Sequence, residues 1–417
     1  TPKHLHPLLG RRLVDWVVAA VQPLGPDPLV LVVAPDTVHA FEGMDVAVQQ
    51  RPLGTGDSLR AARGKVGDVR ELLVVSGDHP RLTSAVLQQL VDEHRQSGAT
   101  ATVLSFEPPD PRAYGRIVRG ADARLQQIVE NADADEAQRA IREVNSSIYV
   151  FEADKLWPAL DRIEPVNAQG ELYLTDAVRL LVEGGEEVAV FKAPEAGDVE
   201  GVNTRVEFAD AAAFLRARVN KEHMLAGVTI VDPQSTWIEP DVELEADSTI
   251  HPFTILRGKT RVAAGAEVGP HVVAVDAEIG PGVLVGPFAY LRPGTKLAAG
   301  AKAGTFVEIK NSEIGARTKV PHLSYIGDAE IGEDTNIAAG NITANFPHGG
   351  GAKGRTKIGS NVSTGIHNGF EAPVEIGDDA WIAGGAYITE DVPPDSLAGF
   401  PPKQITKEGY LRGKRND

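Results

Sequence analysis

The chain has 417 residues, enough for two or three domains, and contains no cysteine, which excludes disulfides, thiolate metal sites and cysteine nucleophiles and fits a reducing compartment. A formal net charge of −17 argues against binding nucleic acid through a general electrostatic footprint. No apolar run approaches membrane-spanning length and no signal peptide is visible, so no membrane insertion is expected.

The chain opens at Thr1, and its first ten residues read like the middle of a domain. A helix is predicted over 13–21 and a buried strand over 29–34. A Rossmann-like domain normally starts with a strand followed by a Gly-rich loop. Neither precedes Thr1, so the expectation is that the natural N-terminus lies upstream. Further strands are predicted over 72–76, 101–106, 145–151 and 187–193, and helices over 58–63, 84–96, 135–142, 172–183 and 204–225. Strands alternating with helices imply a mainly parallel α/β sheet, whose ligands bind beyond the C-terminal strand ends.

The polar motifs fall in those loops. Leu72-Leu73-Val74-Val75-Ser76-Gly77-Asp78 is an apolar strand ending in Gly-Asp. An Asp there can hold Mg²⁺ beside a phosphate chain, because Mg²⁺ prefers hard oxygens, or it can cap the following helix. Leu53-Gly54-Thr55-Gly56-Asp57-Ser58 is a Gly-rich turn opening a helix; it can bring backbone N–H groups to a nucleotide or serve as a turn alone. Tyr114-Gly115-Arg116, Ile128-Val129-Glu130 and Val144-Asn145 are weak signals singly, with Glu130 readable as a solvated charge and Asn145 as an edge-strand cap. Gly201-Val202-Asn203-Thr204 can be a helix start.

After the long helix over 204–225 the pattern changes. A small aliphatic residue recurs every sixth position through Ile250, Leu256, Val262, Val268 and Ala274. Five-residue steps reset the count at Ile279, Ile314 and Ile331, and an interruption precedes Ile358. A period of six fits neither a helix nor a simple strand; it marks a hexapeptide parallel β-helix. At three hexads per coil, about five or more coils are expected, with Gly, Asp and Asn at corners that need positive φ. Chemistry is expected where the repeat carries large polar residues: at 290–294, 306–310, 321–325 and the insertion over 339–357. His322 stands out. A neutral imidazole can take the proton of an amine attacking a thioester, though a lone His is more often structural.

Taken in order, Pro2-Lys3, Leu53-Gly54-Thr55-Gly56, Gly77-Asp78, Tyr114-Gly115-Arg116, Val129-Glu130, Asn145 and Gly201-Val202-Asn203 resemble the sugar-1-phosphate nucleotidyltransferases. The β-helix, and the run His322-Leu323-Ser324-Tyr325-Ile326-Gly327-Asp328, narrow this. The chain resembles the bifunctional N-acetylglucosamine-1-phosphate uridyltransferase/glucosamine-1-phosphate N-acetyltransferase family from Thr1 to about Tyr410. The resemblance implies an α/β Rossmann-like nucleotidyltransferase domain over 1–203, a linker helix over 204–228, and a left-handed parallel β-helix with a C-terminal tail over 229–417. It implies a cytoplasmic homotrimer acting on small-molecule substrates.

Carried over by that resemblance, Lys3 contacts nucleotide phosphates, and Gln49, Gly54 and Thr55 hold uracil. Ser76, Gly77 and Asp78 line the nucleotide site, with Asp78 and Asn203 as Mg²⁺ ligands. Gly115, Glu130 and Asn145 hold the sugar and ribose. In the second half His322 is the general base, Arg292 and Lys310 bind the sugar phosphate, and Tyr325 and Asn336 hold the sugar. Ala339, Asn345, Phe346, Ile366 and Gly384 border acetyl-CoA, with a backbone N–H near Ala339 for the oxyanion. UTP and acetyl-CoA are the implied cosubstrates.

The departures from the family cluster on the CoA side. Phe346 stands for a usual Tyr, Ile366 for a common Ser, and Gly384 for a common Ala. The stretch over 347–352 is longer, Lys353 aligns only loosely with a CoA-contacting Lys, and Gly399-Phe400-Pro401-Pro402-Lys403 lacks an Arg. The family's Gly-rich signature lies upstream of Pro2-Lys3; a chain truly starting at Thr1 is expected to be impaired in uridylyl transfer. Two rivals are a single-function nucleotidyltransferase with a structural β-helix and a non-catalytic regulatory homologue.

Overall fold

The computed structural model describes residues 2–346, 351–399 and 404–408. The chain divides into two compact units, Thr1–Ala212 and Ala213–Asp417, and the division falls within one long helix.

The first unit runs α1 (Leu13–Val21), β1 (Leu31–Val33), β2 (Val46–Val48), α2 (Thr55–Val66), β3 (Glu71–Val74), α3 (Ser84–Ser97) and β4 (Ala101–Phe106). It continues with β5 (Arg116–Arg119), β6 (Leu125–Val129), α4 (Glu136–Arg139), β7 (Val144–Glu152), α5 (Ala153–Asp161), α6 (Leu174–Glu183) and β8 (Val188–Lys192), and α7 (Arg205–Leu225) leads out. Every residue of β4 is buried, which suits a central strand covered on both faces. Alternate residues feed two cores. Val103, Tyr149 and Phe151 pack with Leu156 and Ala177 on one side; Leu104, Phe106 and Val150 pack with Leu87 and Leu90 on the other. Each fully buried Phe contributes roughly 2–3 kcal/mol.

The sheet is mixed, which corrects the mainly parallel expectation. β7 runs antiparallel to β3, β4 and β5, and among the six strands only β8 pairs in parallel, with β4. The missed feature is the β5–β6 hairpin, whose strands are rich in Arg and Gln and lack a clean apolar alternation. Its turn closes through the Gly120 N–H donating to the Arg124 carbonyl at 2.9 Å, and so short a turn forces antiparallel pairing. β1 and β2 pair in parallel apart from that sheet. The helix predicted over 135–142 shrinks to the single turn of α4, and α5, with Pro158 inside it, was not anticipated.

The second unit stacks short parallel strands into three faces, the architecture of the left-handed parallel β-helix. Among the described residues one face carries nine strands from Trp237–Ile238 to Tyr387–Ile388, in keeping with the expectation of about five or more coils. Ile250, Val268 and Val285 stack inward on one face, and Leu256, Ala274 and Leu291 on the next. Asp276, Asn311 and Asp328 turn the corners of the five-residue steps at φ of 45°, 46° and 51°, while six-residue corners use Gly258 and Gly294 as well as Asp247, Asp334, Asn361 and Asp379. Asp and Asn tolerate the left-handed region better than other residues with a Cβ.

Candidate active sites

In the first unit a cavity of about 980 Å³ reaches from the β1 and β3 edges to the ends of the strands. Lys3, Thr55, Ser76, Gly77, Asp78 and Glu130 line it. Of the other predicted nucleotide-site residues, Gln49 and Gly54 meet each other, the Gln49 Nε2 donating to the Gly54 carbonyl at 3.1 Å and to Asp57 at 2.9 Å. The amide of Gln49 therefore pins the Gly-rich turn. Gly54 sits at φ 114°, and a Cβ there would lie 2.5 Å from the Leu172 carbonyl oxygen, so only glycine fits. The Gly56 N–H donates to that same carbonyl at 2.8 Å, and the Thr55 hydroxyl accepts from the Leu174 N–H at 2.9 Å.

Gly115 and Asn145 are also brought together, the Asn145 N–H donating to the Gly115 carbonyl at 2.8 Å. The side chain of Asn145 is buried and donates to the Tyr149 hydroxyl at 2.7 Å. A Cβ on Gly115 would lie 3.3 Å from Glu130 Oε2, so Gly115 leaves room for that carboxyl. Glu130 accepts from the Thr175 hydroxyl at 3.1 Å. Burial raises its pKa, Thr175 opposes the shift, and Asp133 and Asp176 add to it.

Asp78 is the electrostatic centre. Ser76 donates to Oδ1 at 2.7 Å, and the Lys3 ammonium donates to Oδ2 at 2.7 Å and to Asn203 Oδ1 at 2.9 Å. The His79 ring nitrogen Nδ1 lies 2.8 Å from Oδ1, near enough for charge attraction but in a geometry short of a hydrogen bond. Burial would raise the Asp78 carboxyl, but His79 and Lys3 outweigh it and hold it well below the usual carboxylate range. An ionised carboxylate and an amide oxygen that converge on one cation fit a hard divalent ion completing its shell with phosphate oxygens. No cluster of three or more His, Asp or Glu among the described residues offers an all-protein alternative.

Two contacts around this centre were not foreseen. The Tyr114 hydroxyl accepts the Gly201 N–H at 2.9 Å and fixes the loop carrying Asn203; burial pushes its pKa up to about 12, so it stays protonated. Arg81 and Glu200 form a largely buried pair at 3.0 Å on the other side of that loop. The flanking motif carries Tyr114, but its partner lies 87 positions away, and no local pattern shows that.

In the β-helix, register assembles the second site. Tyr290, Glu308 and Tyr325 face one another on successive coils, and Lys310 pairs directly with Gly327. Arg292, two positions after Tyr290, therefore stacks over Lys310. It donates to Glu308 at 2.8 Å, which raises the pKa of its guanidinium. Gly327 leaves the room that the Tyr325 ring occupies, since a Cβ there would meet the Tyr325 hydroxyl at 2.4 Å.

His322 ends the strand Lys319–His322 at an exposed corner, opposite Thr305 on the coil below. Its carbonyl accepts the Gly340 N–H at 3.4 Å, the Ala339 carbonyl accepts the His367 N–H at 2.8 Å, and the Ile366 carbonyl accepts the Gly385 N–H at 2.8 Å. His322, Ala339, Ile366 and Gly384 thus form one column up the same corner. The predicted base and three of the predicted CoA residues share it.

Asn345 is buried, and its amide donates to Asp328, which also accepts from Asn311 at 2.6 Å. Burial would raise Asp328, but these two amides, then Lys310 and Lys353, hold it low. Lys310 beside it in turn pushes Lys353 below the ordinary lysine value, so two ammonium groups converge where a phosphate dianion is expected. Glu308 and Asp328 were missed as site members, although Asp328 occupies a five-residue corner. Phe346 is 70% exposed. Asn336 lies on the outer face of the neighbouring sheet, between Lys319 and Ser363, and is not brought to Tyr325 within the chain. Of the CoA-side departures, Phe400-Pro401-Pro402-Lys403 and residues 347–350 fall outside the described residues.

Residues 1–148 match the MobA-like NTP transferase domain family. The whole chain is similar to proteins named Bifunctional protein GlmU. It is 44% identical to the one from Streptomyces avermitilis, covering 100% of this chain and 91% of the relative. The one from Thermoanaerobacter pseudethanolicus is 39% identical, covering 99% and 94%. The one from Mycobacterium tuberculosis is 42% identical, covering 100% and 89%.

Proposed function

The chain belongs to the GlmU family, and from that premise we propose how its residues divide the work of a bifunctional transferase. The enzyme makes UDP-N-acetylglucosamine in two steps, an acetyl transfer to glucosamine-1-phosphate and a uridylyl transfer to N-acetylglucosamine-1-phosphate. In our reading acetyl-CoA and UTP are the donors, acetyl transfer lies within 229–417, and uridylyl transfer lies within 1–203.

For the first step, His322 takes a proton from the 2-amino group as the nitrogen attacks the thioester carbonyl. Arg292 and Lys310 neutralise the sugar phosphate, with Lys353 close enough to assist. Tyr325 and Asn336 hold the sugar, and Ala339, Asn345, Phe346, Ile366 and Gly384 border the CoA. The observation that carries this reading is the column of His322, Ala339, Ile366 and Gly384, which sets the base beside the acyl-donor residues. A β-helix used only for assembly has no need of that column or of the converging cations. Asn336, one sheet away from Tyr325, supports a homotrimer in which a second copy completes the site.

For the second step, the sugar phosphate attacks the α-phosphorus of UTP and pyrophosphate leaves. Mg²⁺, when bound by Asp78 and Asn203, supplies charge neutralisation on the phosphates. Lys3 adds a cation, Gln49, Gly54 and Thr55 hold uracil, and Ser76 and Gly77 shape the floor. Gly115, Glu130 and Asn145 orient the sugar and ribose. Such transfer rests on positioning rather than on a protein nucleophile. Among the described residues no helix is long and apolar enough to cross a membrane, which accords with our placing the enzyme in the cytoplasm.

Each half has its own test. Glucosamine-1-phosphate with acetyl-CoA should release free CoA thiol, and N-acetylglucosamine-1-phosphate with UTP and Mg²⁺ should release pyrophosphate. Absence of thiol would overturn the acetyl-transfer assignment, and absence of pyrophosphate the uridylyl one.

A further inference from the structure

The Lys3 ammonium sits between Asp78 Oδ2 at 2.7 Å and Asn203 Oδ1 at 2.9 Å. Those are the two oxygens assigned above to the metal. A divalent ion bridging them at about 2.1 Å from each oxygen would stand within van der Waals distance of that nitrogen. Two cations cannot share the place. We propose that Lys3 is a resident counter-ion of the metal site, and that a divalent metal binds only as Lys3 swings from Asp78 and Asn203 to the nucleotide phosphates.

The arrangement has a clear physical motive. Asp78 is only 21% exposed, and a carboxylate at that depth needs a partner. Lys3 supplies one through two charge-assisted hydrogen bonds. Its side chain is 39% exposed and lines the cavity, so it can reorient while its backbone stays in the short turn Lys3–Leu5. A lysine suits this better than an arginine, being a compact charge on a flexible stem. Ser76 and His79 contact the other carboxylate oxygen and stay in place when Lys3 leaves.

One consequence is linkage. Metal must displace Lys3, so its affinity is low without nucleotide. Phosphates that attract Lys3 free both oxygens, so nucleotide tightens metal binding, and metal tightens nucleotide binding by the same factor. This rests on the assignment of Asp78 and Asn203 to the metal, and the test separates the two ideas.

The full chain would be titrated with Mn²⁺, and free Mn²⁺ read by electron paramagnetic resonance, with and without UDP-N-acetylglucosamine. No turnover is involved. Without nucleotide, Lys3→Met should bind Mn²⁺ about tenfold tighter than the parent or more, tenfold being the scale of a single net hydrogen bond to a competitor. Lys3→Arg, which keeps the charge, should stay near the parent. UDP-N-acetylglucosamine should tighten Mn²⁺ binding less in Lys3→Met than in the parent. Asp78→Asn should lose the site. If Asp78→Asn loses it and Lys3→Met binds no tighter than the parent, the counter-ion role is wrong. If Asp78→Asn binds Mn²⁺ as the parent does, the metal assignment fails and the proposal with it.

Discussion

The fold around Glu130 disfavours its ionised form. Burial raises its pKa, and the nearby acids Asp133 and Asp176 raise it further. A carboxyl raised above its unfolded value contributes stability below that ordinary value of 4.5, and this is lost as pH rises through the folded value. Ionising Glu130 therefore costs more in the folded chain than in the unfolded one. Glu130→Gln, which cannot ionise, should melt at or above the parent temperature at pH 7, with the gap closing as pH falls through the raised folded value towards 4.5. Its uridylyl transfer should fall by about tenfold or more, since the amide replaces one of the two acceptor oxygens with a donor. Scanning fluorimetry across pH and pyrophosphate release would check both halves. An equal drop in melting temperature at every pH would show Glu130 to be a packing residue instead. At this scale the sequence discloses residue types at strand ends, such as Asp78, but not their partners. Lys3 reaches Asp78 across 75 positions and Asn203 across 200, and no local pattern encodes such a meeting.

Between single residues and the whole chain, the coil is the unit that sets geometry. A strict register makes a glycine's neighbour on the next coil either backbone or side chain, with different consequences. A Cβ on Gly304 would lie 2.0 Å from the Pro321 carbonyl oxygen, which cannot turn aside. Gly304→Ala should therefore destabilise the β-helix by about 2–3 kcal/mol through overpacking. The three atoms nearest a Cβ on Gly327 all belong to the Tyr325 side chain. Gly327→Ala should leave stability nearly intact but turn Tyr325 away, lowering acetyl transfer about tenfold while sparing uridylyl transfer. Urea unfolding with both activity assays separates the two; equal destabilisation would refute the distinction. The hexad made this unit legible from sequence, including the resets, because one inward position per six residues is a strong and local constraint. The mixed sheet was less legible. Strand β7 lies between β3 and β4, which come earlier in the chain, and a strand's direction relative to distant neighbours leaves no mark in its own residues.

The two proposed sites fall in separate compact units, and the prediction at this scale is that the intermediate passes between them through solution. Asp78 and His322 lie in different units, and the contacts that position each are made within its own unit: Ser76, Lys3 and His79 for Asp78, and the coils through Thr305 and Gly340 for His322. Each site should then survive loss of the other. His322→Ala should lose acetyl transfer and keep uridylyl transfer near the parent rate, and Asp78→Asn should do the reverse. Given glucosamine-1-phosphate, acetyl-CoA, UTP and Mg²⁺, neither variant alone should make UDP-N-acetylglucosamine. An equal mixture should, at about half the parent rate, because half of each kind of site is intact and N-acetylglucosamine-1-phosphate is free to diffuse. A lag before product appears, shortened by raising protein concentration, would mark release of the intermediate. If each variant keeps its own activity and the mixture still makes nothing, the intermediate does not pass between molecules, and transfer within one molecule would have to replace diffusion. If either substitution abolishes both activities, the two sites are not independent, and the division into separately working units would fall.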